Sequence, residues 1–291
     1  MKKAFSLIEL SIVILIIGIL VAGVTQSSRL VSAMRLQSAQ SLTLSSPVGS
    51  ITGLTLWLET TLEKSIDQNQ ASQGSEISNW YDLNPQTTSL SNATQTTAGR
   101  RPTYNYSSTL PLINFNGATN GQFFNLPNNT IPSGDSSYTI FLVARLAGDA
   151  PARNNDILVA GLWTNPITLI RMDNGSGLKF THFSGGGAST VYWPQTANLP
   201  SNTLTIFTAG YKNIAPRTLT SHVNTNQLIS INIADARTTG IDYNMIGGNA
   251  WASNEFFRGD IGEIIIFNRY LKNDERLDIE KYLAKKWGIK I

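Results

Sequence analysis

The chain has 291 residues, a formal net charge of +3, 14% charged and 41% hydrophobic residues, and no cysteine. That length can bury one large core or two smaller ones, and the missing cysteines exclude disulfides, thiolate metal sites, a cysteine nucleophile and a lipidated cysteine. Lys2 and Lys3 carry two of the positive charges, so the rest is close to neutral; with no basic stripe carrying interleaved aromatics, no nucleic acid partner is expected.

Residues 5–24 are apolar or small except for Glu9. As a helix they span about 30 Å, the hydrocarbon thickness of a bilayer. Lys2 and Lys3 keep the preceding end cytoplasmic by the positive-inside rule, which places the remainder outside. A cleaved signal peptide, cut near Val21-Ala22-Gly23, and a plain single-span anchor are the rival readings. Glu9 speaks against both, because a carboxylate in apolar surroundings is costly unless it has a partner.

The run Lys2-Lys3-Ala4-Phe5-Ser6-Leu7-Ile8-Glu9-Leu10 resembles the prepilin signal of type IV pilins and type II secretion pseudopilins. The resemblance implies a cut between Ala4 and Phe5 by a prepilin peptidase, and methylation of the new Phe5 amine. It also implies that Glu9, the fifth mature residue, pairs with the N-terminal ammonium of a neighbouring subunit, an opposite charge that offsets its desolvation. Ala4 replaces the family's usual Gly. Gln26 stands where many major pilins have a helix-breaking Pro, which points to a minor pilin or a pseudopilin. The expected location is the inner membrane, single-pass with the head outside the cytoplasm, and then a periplasmic or surface filament of other pilin or pseudopilin subunits.

Beyond the span, Leu30, Val31, Met34, Gln37 and Leu42 keep helical spacing, and no Pro or Gly intervenes between Val24 and Ser46. After a leader at 1–4, one transmembrane and assembly helix is therefore expected over residues 5–46, about 60 Å long. Pro47 and Gly49 end it, with 47–50 as a linker.

From Ile51 the period changes to two. Strands are expected near 54–58, 112–115, 138–146, 156–162, 168–172, 178–183, 204–211, 217–223, 228–233 and 261–267, separated by Gly- and Asn-rich turns. Strands in succession without alternating helices indicate a mainly β fold, an antiparallel sandwich. At the end, Asn273 is the expected N-cap of a helix whose Ile279, Tyr282, Leu283 and Trp287 share one face. Lys285 and Lys286 fill its last turn before Gly288.

Gly53-Leu54-Thr55-Leu56-Trp57-Leu58, Asn79-Trp80-Tyr81-Asp82-Leu83, Ile113-Asn114-Phe115-Asn116-Gly117 and the run from Gly259 to Arg269, followed by the terminal helix, resemble the bacterial LamG-like, concanavalin A-like jelly-roll family. That resemblance covers most of residues 51–291 and implies a jelly-roll head. Glu59 stands where the family often has Asp, and Asn84-Pro85-Gln86-Thr87 replaces the Gly-rich loop expected after Asp82.

Jelly rolls host glycosidases, which need two carboxylates on one cleft. The best pair here, Asp260 and Glu263, has an odd spacing that places them on opposite faces of a regular strand. His182 and His222 lie in no ligand pattern. No enzyme activity and no catalytic residue is therefore expected, and no cofactor. Calcium, if held, would take Asp82 and Asp260. Trp80, Trp163, Trp193 and Trp251 are the candidate sugar-stacking residues, with core packing the competing role for each. The two functional readings are a pilin-like subunit displaying this head, with carbohydrate as a partner, and a membrane-anchored carbohydrate-binding module outside any filament.

Overall fold

The computed structural model describes residues 7–106, 110–118, 121–150, 154–161, 167–173, 179–185, 201–233, 242–250 and 253–291. Helix α1 (Leu7–Leu44) opens the described chain. The stretch expected as a linker is instead a tight turn. The Pro47 carbonyl accepts the Ser50 and Ile51 amides at 3.1 and 3.2 Å, and Val48 is buried.

The strands follow in chain order: β1 (Leu54–Glu59), β2 (Asn79–Trp80), β3 (Ala93–Thr94), β4 (Thr103–Asn105), β5 (Leu112–Asn116), β6 (Phe124–Asn125), β7 (Tyr138–Leu146) and β8 (Asn154–Gly161). They continue with β9 (Ile167–Asp173), β10 (Lys179–Gly185), β11 (Thr205–Lys212), β12 (Arg217–Val223), β13 (Asn226–Ile233), β14 (Met245–Ile246) and β15 (Arg258–Phe267). Helix α2 (Asn273–Trp287) closes the chain.

All named pairings are antiparallel. One sheet runs β13-β12-β11-β7-β15-β5-β4 with β1 also on β15, and the other runs β10-β9-β8-β14-β6-β3-β2. Their facing sides make the main core, where Leu56, Leu58, Trp80, Phe115, Phe124, Leu158 and Ile264 meet. The first sheet is also covered on its outer side. Phe141, Val143, Ile265 and Phe267 pack there with Ile279, Leu283 and Trp287 of α2 and with the end of α1. This double burial explains why β7 and β15 read as almost unbroken apolar runs rather than alternating ones. Each large α2 side chain so buried contributes roughly 1.5–3 kcal/mol.

The helix starts one residue earlier in role than its sequence suggests. Lys272 is the cap position, and its amide donates to Glu275 Oε2 at 2.9 Å. The Asn273 side chain accepts from Arg276 instead. The β12–β13 turn uses Asn224 and Thr225 at φ 47° and 69°, the left-handed pair a two-residue hairpin requires.

A bulge overturns the expected parity of β15. The register with β7 shifts between Ile261 and Glu263, so Ile261 points into the main core while Asp260 and Glu263 both turn to the outer face. Gly262 sits in that bulge, where a Cβ would lie 2.6 Å from the Trp287 ring. Only glycine lets α2 approach so closely.

Candidate functional site

Ala4 and Phe5 lie outside the described residues, and only the backbone of Glu9, in the first turn of α1, is described. The helix is long and apolar enough to cross a membrane. Ile8, Leu10, Ile14, Leu20 and Val24 each expose more than half of their surface. Ser11 and Ser27 donate their hydroxyls back to the Ile8 and Gly23 carbonyls, both at 2.9 Å. Their polarity is thus satisfied inside the helix, as apolar surroundings demand.

Where α1 reaches the head, its character changes. Ala39 and Thr43 are buried, and Leu36 and Leu42 pack on the outer core. Gln40 Nε2 donates to the Thr61 carbonyl at 2.9 Å, and the Tyr282 hydroxyl reaches Thr43 Oγ1 at 3.4 Å.

That joint rests on a buried charge cluster. Strand pairing sets Glu59 opposite Glu263, and Lys286 inserts between them with Nζ 2.8 Å from Glu59 Oε2 and 2.9 Å from Glu263 Oε2. All three side chains are fully buried. Glu59 also accepts the Thr61 amide at 2.7 Å, the Thr61 hydroxyl at 2.5 Å, the Leu62 amide at 2.8 Å and the Ser65 hydroxyl. Glu263 accepts the Trp57 and Trp287 indoles at 2.9 Å each and the Tyr282 hydroxyl at 2.8 Å. Buried charges require this degree of pairing.

The titration behaviour follows. Burial alone would raise the Glu59 carboxyl, but the Lys286 charge, with hydrogen bonds from Lys286, Ser65 and Thr61, holds it down at about 2. Burial would lower Lys286, yet the charges of Glu263 and Glu59 outweigh it and hold the ammonium above its usual range. Burial, followed by the Glu263 charge, pushes the Tyr282 phenol well up. Both last-turn lysines of α2 are where the sequence places them, but of the two only Lys285 is exposed, and Lys286 is buried.

Beside this joint lies a cleft of about 460 Å³, walled by Leu36 and Gln40 of α1 and by Gln68, Gln73, Tyr104 and Tyr106 of the head. The two tyrosine rings stack at 6.4 Å and 18°. Each glutamine is pinned at one end: Gln68 Nε2 donates to the Glu63 carbonyl at 3.0 Å, and Gln73 Oε1 accepts the Tyr106 amide at 2.6 Å. Glu63 is the one charged side chain among the described residues lining it. Sequence reading missed the cleft, because its wall comes from three separate segments, within 36–40, 60–73 and 104–106.

The other expected residues fall as follows. Trp80 is fully buried, its ring 6.3 Å from Phe124 and its indole donating to the Glu59 carbonyl at 2.6 Å. It is core, and its assignment as a sugar-stacking residue is corrected. Trp163, Trp193 and Trp251 lie outside the described residues. Asp82 braces its loop: Oδ1 accepts the Trp57 and Asn84 amides at 2.9 and 3.0 Å, and Oδ2 the Ser91 amide at 2.9 Å. Asp260 accepts Asn105 and Asn114 at 3.0 Å each and Arg145 at 2.8 Å. A calcium ion would have to displace these partners, and the two residues hold separate sets. Among the described residues, no group of three acidic or histidine side chains is placed to hold a metal.

A second buried cluster was not anticipated. Arg171 Nε meets Asp156 Oδ1 at 2.8 Å, and Asn249 bridges Asp156 and Glu255 at 2.5 and 3.0 Å. Burial pushes Asp156 up to about 6, against the pull of Arg171 and Asn249. His222, on β12, is brought down to about 4 by burial and then by the Arg276 charge. Of His182 the backbone alone is described.

Residues 1–25 match the family described as the prokaryotic N-terminal methylation motif. No curated protein matches the chain by sequence. Among solved structures, the chain is similar to domain 4 of AbnA, a GH43 extracellular arabinanase from Geobacillus stearothermophilus in complex with arabinotriose. The TM-score is 0.54 at 16% identity, over 78% of this chain and 98% of that one. It is similar to the binding domain of Paraclostridial Mosquitocidal Protein 1, with TM-score 0.55 and 14% identity over 80% of this chain and 52% of that one. It is similar also to Trypanosoma rangeli sialidase in complex with the inhibitor DANA, with TM-score 0.52 and 16% identity over 83% of this chain but 34% of the sialidase. The chain thus joins a prepilin-type N-terminal motif to a β-sandwich.

Proposed function

We propose that this chain is a minor pilin or pseudopilin subunit of a type IV pilus or type II secretion filament, displaying a β-sandwich head that binds rather than catalyses. The observation that carries this is the methylation motif over residues 1–25 running into an apolar helix that continues unbroken to the head. A prepilin peptidase cuts between Ala4 and Phe5, the Phe5 amine is methylated, and Glu9 pairs with that amine on an adjacent subunit. Before assembly the apolar helix holds the chain in the inner membrane with the head outside the cytoplasm.

The reading of the head as a binder is supported by what its carboxylates do. Glu59, Glu263, Asp156 and Asp260 are each tied into ion pairs, and three of them are fully enclosed. A glycosidase instead needs two carboxylates facing an open cleft, and among the described residues Glu63 is the one carboxylate lining the cleft beside α1. The arabinanase domain crystallised with arabinotriose supports carbohydrate as the ligand class, and it favours, as second reading, an anchored carbohydrate-binding module outside any filament.

The mature N-terminus decides. Mass spectrometry of the purified protein is expected to find N-methyl-Phe5, and Glu9→Ala is expected to lower recovery in sheared filaments while leaving the membrane-bound amount unchanged. A polypeptide still beginning at Met1, or starting beyond Gly23, overturns the assignment. Methylated protein with normal filament recovery of Glu9→Ala overturns the pairing mechanism.

A further inference from the structure

We infer that the cleft between the end of α1 and the head is a binding site for a neutral oligosaccharide, with Tyr106 as the stacking platform and Gln40, Gln68 and Gln73 as the hydroxyl readers. This deepens the reading of the head as a saccharide binder and is independent of the filament assignment.

The chemistry of the lining selects the ligand. Sugar hydroxyls each donate and accept, so they are matched by side-chain amides, which do both. Three amides line this cleft, and each has one end fixed by a backbone group while the other keeps hydrogen-bonding capacity. Gln40 and Gln68 spend an N–H on the Thr61 and Glu63 carbonyls and keep their oxygens, and Gln73 spends its oxygen on the Tyr106 amide and keeps its NH2 group. Pinned side chains have already lost their rotamer freedom, so binding costs them less entropy. The sugar's apolar C–H face is matched by an aromatic ring, and Tyr106 is half-buried against the buried Tyr104. The cleft volume of about 460 Å³ suits a ligand of two to three sugar rings.

The charge of the lining decides which sugars are excluded. Among the described residues no cation lines the cleft, and Glu63 is acidic. An anionic sugar such as a sialoside would enter against like charge with no guanidinium to receive its carboxylate. Neutral sugars are therefore preferred even though the fold resembles a part, 34%, of a sialidase chain. Part of the wall, Leu36 and Gln40, belongs to the helix that carries the membrane span, so the site exists only in the docked chain.

The test is titration calorimetry of the full chain in detergent with arabinotriose, cellotetraose, maltotetraose and 3′-sialyllactose. Saturable binding of a neutral probe is expected, with Tyr106→Ala weakening it about tenfold. Gln68→Ala should weaken it by a similar factor, and Tyr106→Phe, which keeps the ring, should stay close to the parent. Circular dichroism confirms that each variant is folded. No saturation by any neutral probe up to about 5 mM overturns the assignment. So does preference for 3′-sialyllactose, or neutral-sugar binding that Tyr106→Ala and Gln68→Ala leave unchanged. Loss of filament recovery in these variants without any sugar binding makes the cleft a subunit contact and likewise overturns the proposal. The N-methyl-Phe5 measurement is unaffected by any of these results.

Discussion

Lys286→Met removes the one cation between Glu59 and Glu263 while keeping an unbranched side chain of similar length. The two carboxylates are then buried side by side, directly paired in the β1–β15 register. Truncating one partner of a buried pair costs roughly 3–5 kcal/mol, and here a single lysine serves two acids. For a chain of this size roughly 2–4 °C of Tm accompanies each kcal/mol, so a fall of about 10 °C is expected. The measurement is thermal unfolding of the full chain in detergent at neutral pH, followed by near-ultraviolet circular dichroism, which reports on Trp57 and Trp287. Adding Glu59→Gln and Glu263→Gln to Lys286→Met should recover at least half of the loss, because the uncompensated charges vanish. The penalty should also shrink in acid, where the stranded carboxylates take up protons. A Tm change under about 2 °C, or a further fall on adding the two glutamines, would refute the view that charge pairing holds this joint.

Two further expectations concern the same region. Glu59 has its folded pKa at about 2, below its ordinary 4.5, so its contribution is complete above about 4.5 and disappears as pH falls toward about 2. The Tm of the parent should therefore decline across that window more steeply than that of Glu59→Gln, and parallel curves would contradict the assignment. Ala39 is 2% exposed on the buried face of the last turns of α1, and Ala39→Arg places a bulky cation there, beside Arg35, Lys285 and Lys286. Hydrogen exchange of amides 36–48 should rise sharply while β7 and β15 stay protected; unchanged protection of 36–48 would show that the helix is not seated as described.

The fold was largely legible because its long elements carry strong periodic signals. The β7 and β12 ranges read from the sequence coincide with those observed, and the apolar face of α2 is the one that is buried. The two-residue strands β2, β3, β6 and β14 were invisible, since no period can show in so short a run. The bulge at Gly262 defeated the parity argument for Asp260 and Glu263, because alternation of faces assumes one residue per pleat. Lys286 was legible as a last-turn lysine, but its burial was not, because that depends on Glu263 and on Glu59 from a strand over 200 residues earlier. The N-terminal methylation motif was legible as a whole over residues 1–25, being a contiguous signal. The cleft was not, because no contiguous segment contains more than a fragment of its wall.

The seat of α1 has a consequence for the order of events during biogenesis. Thr43 touches Tyr282 across 239 positions, and Glu59 waits 227 positions for Lys286. The anchoring segment is synthesised more than 200 residues before the helix that finishes its socket. Until α2 has been made and has docked, the end of α1 keeps bare apolar side chains and Glu59 lacks its counter-ion. Such distant closures form late in folding, so the packed link between anchor and head marks a chain folded through α2.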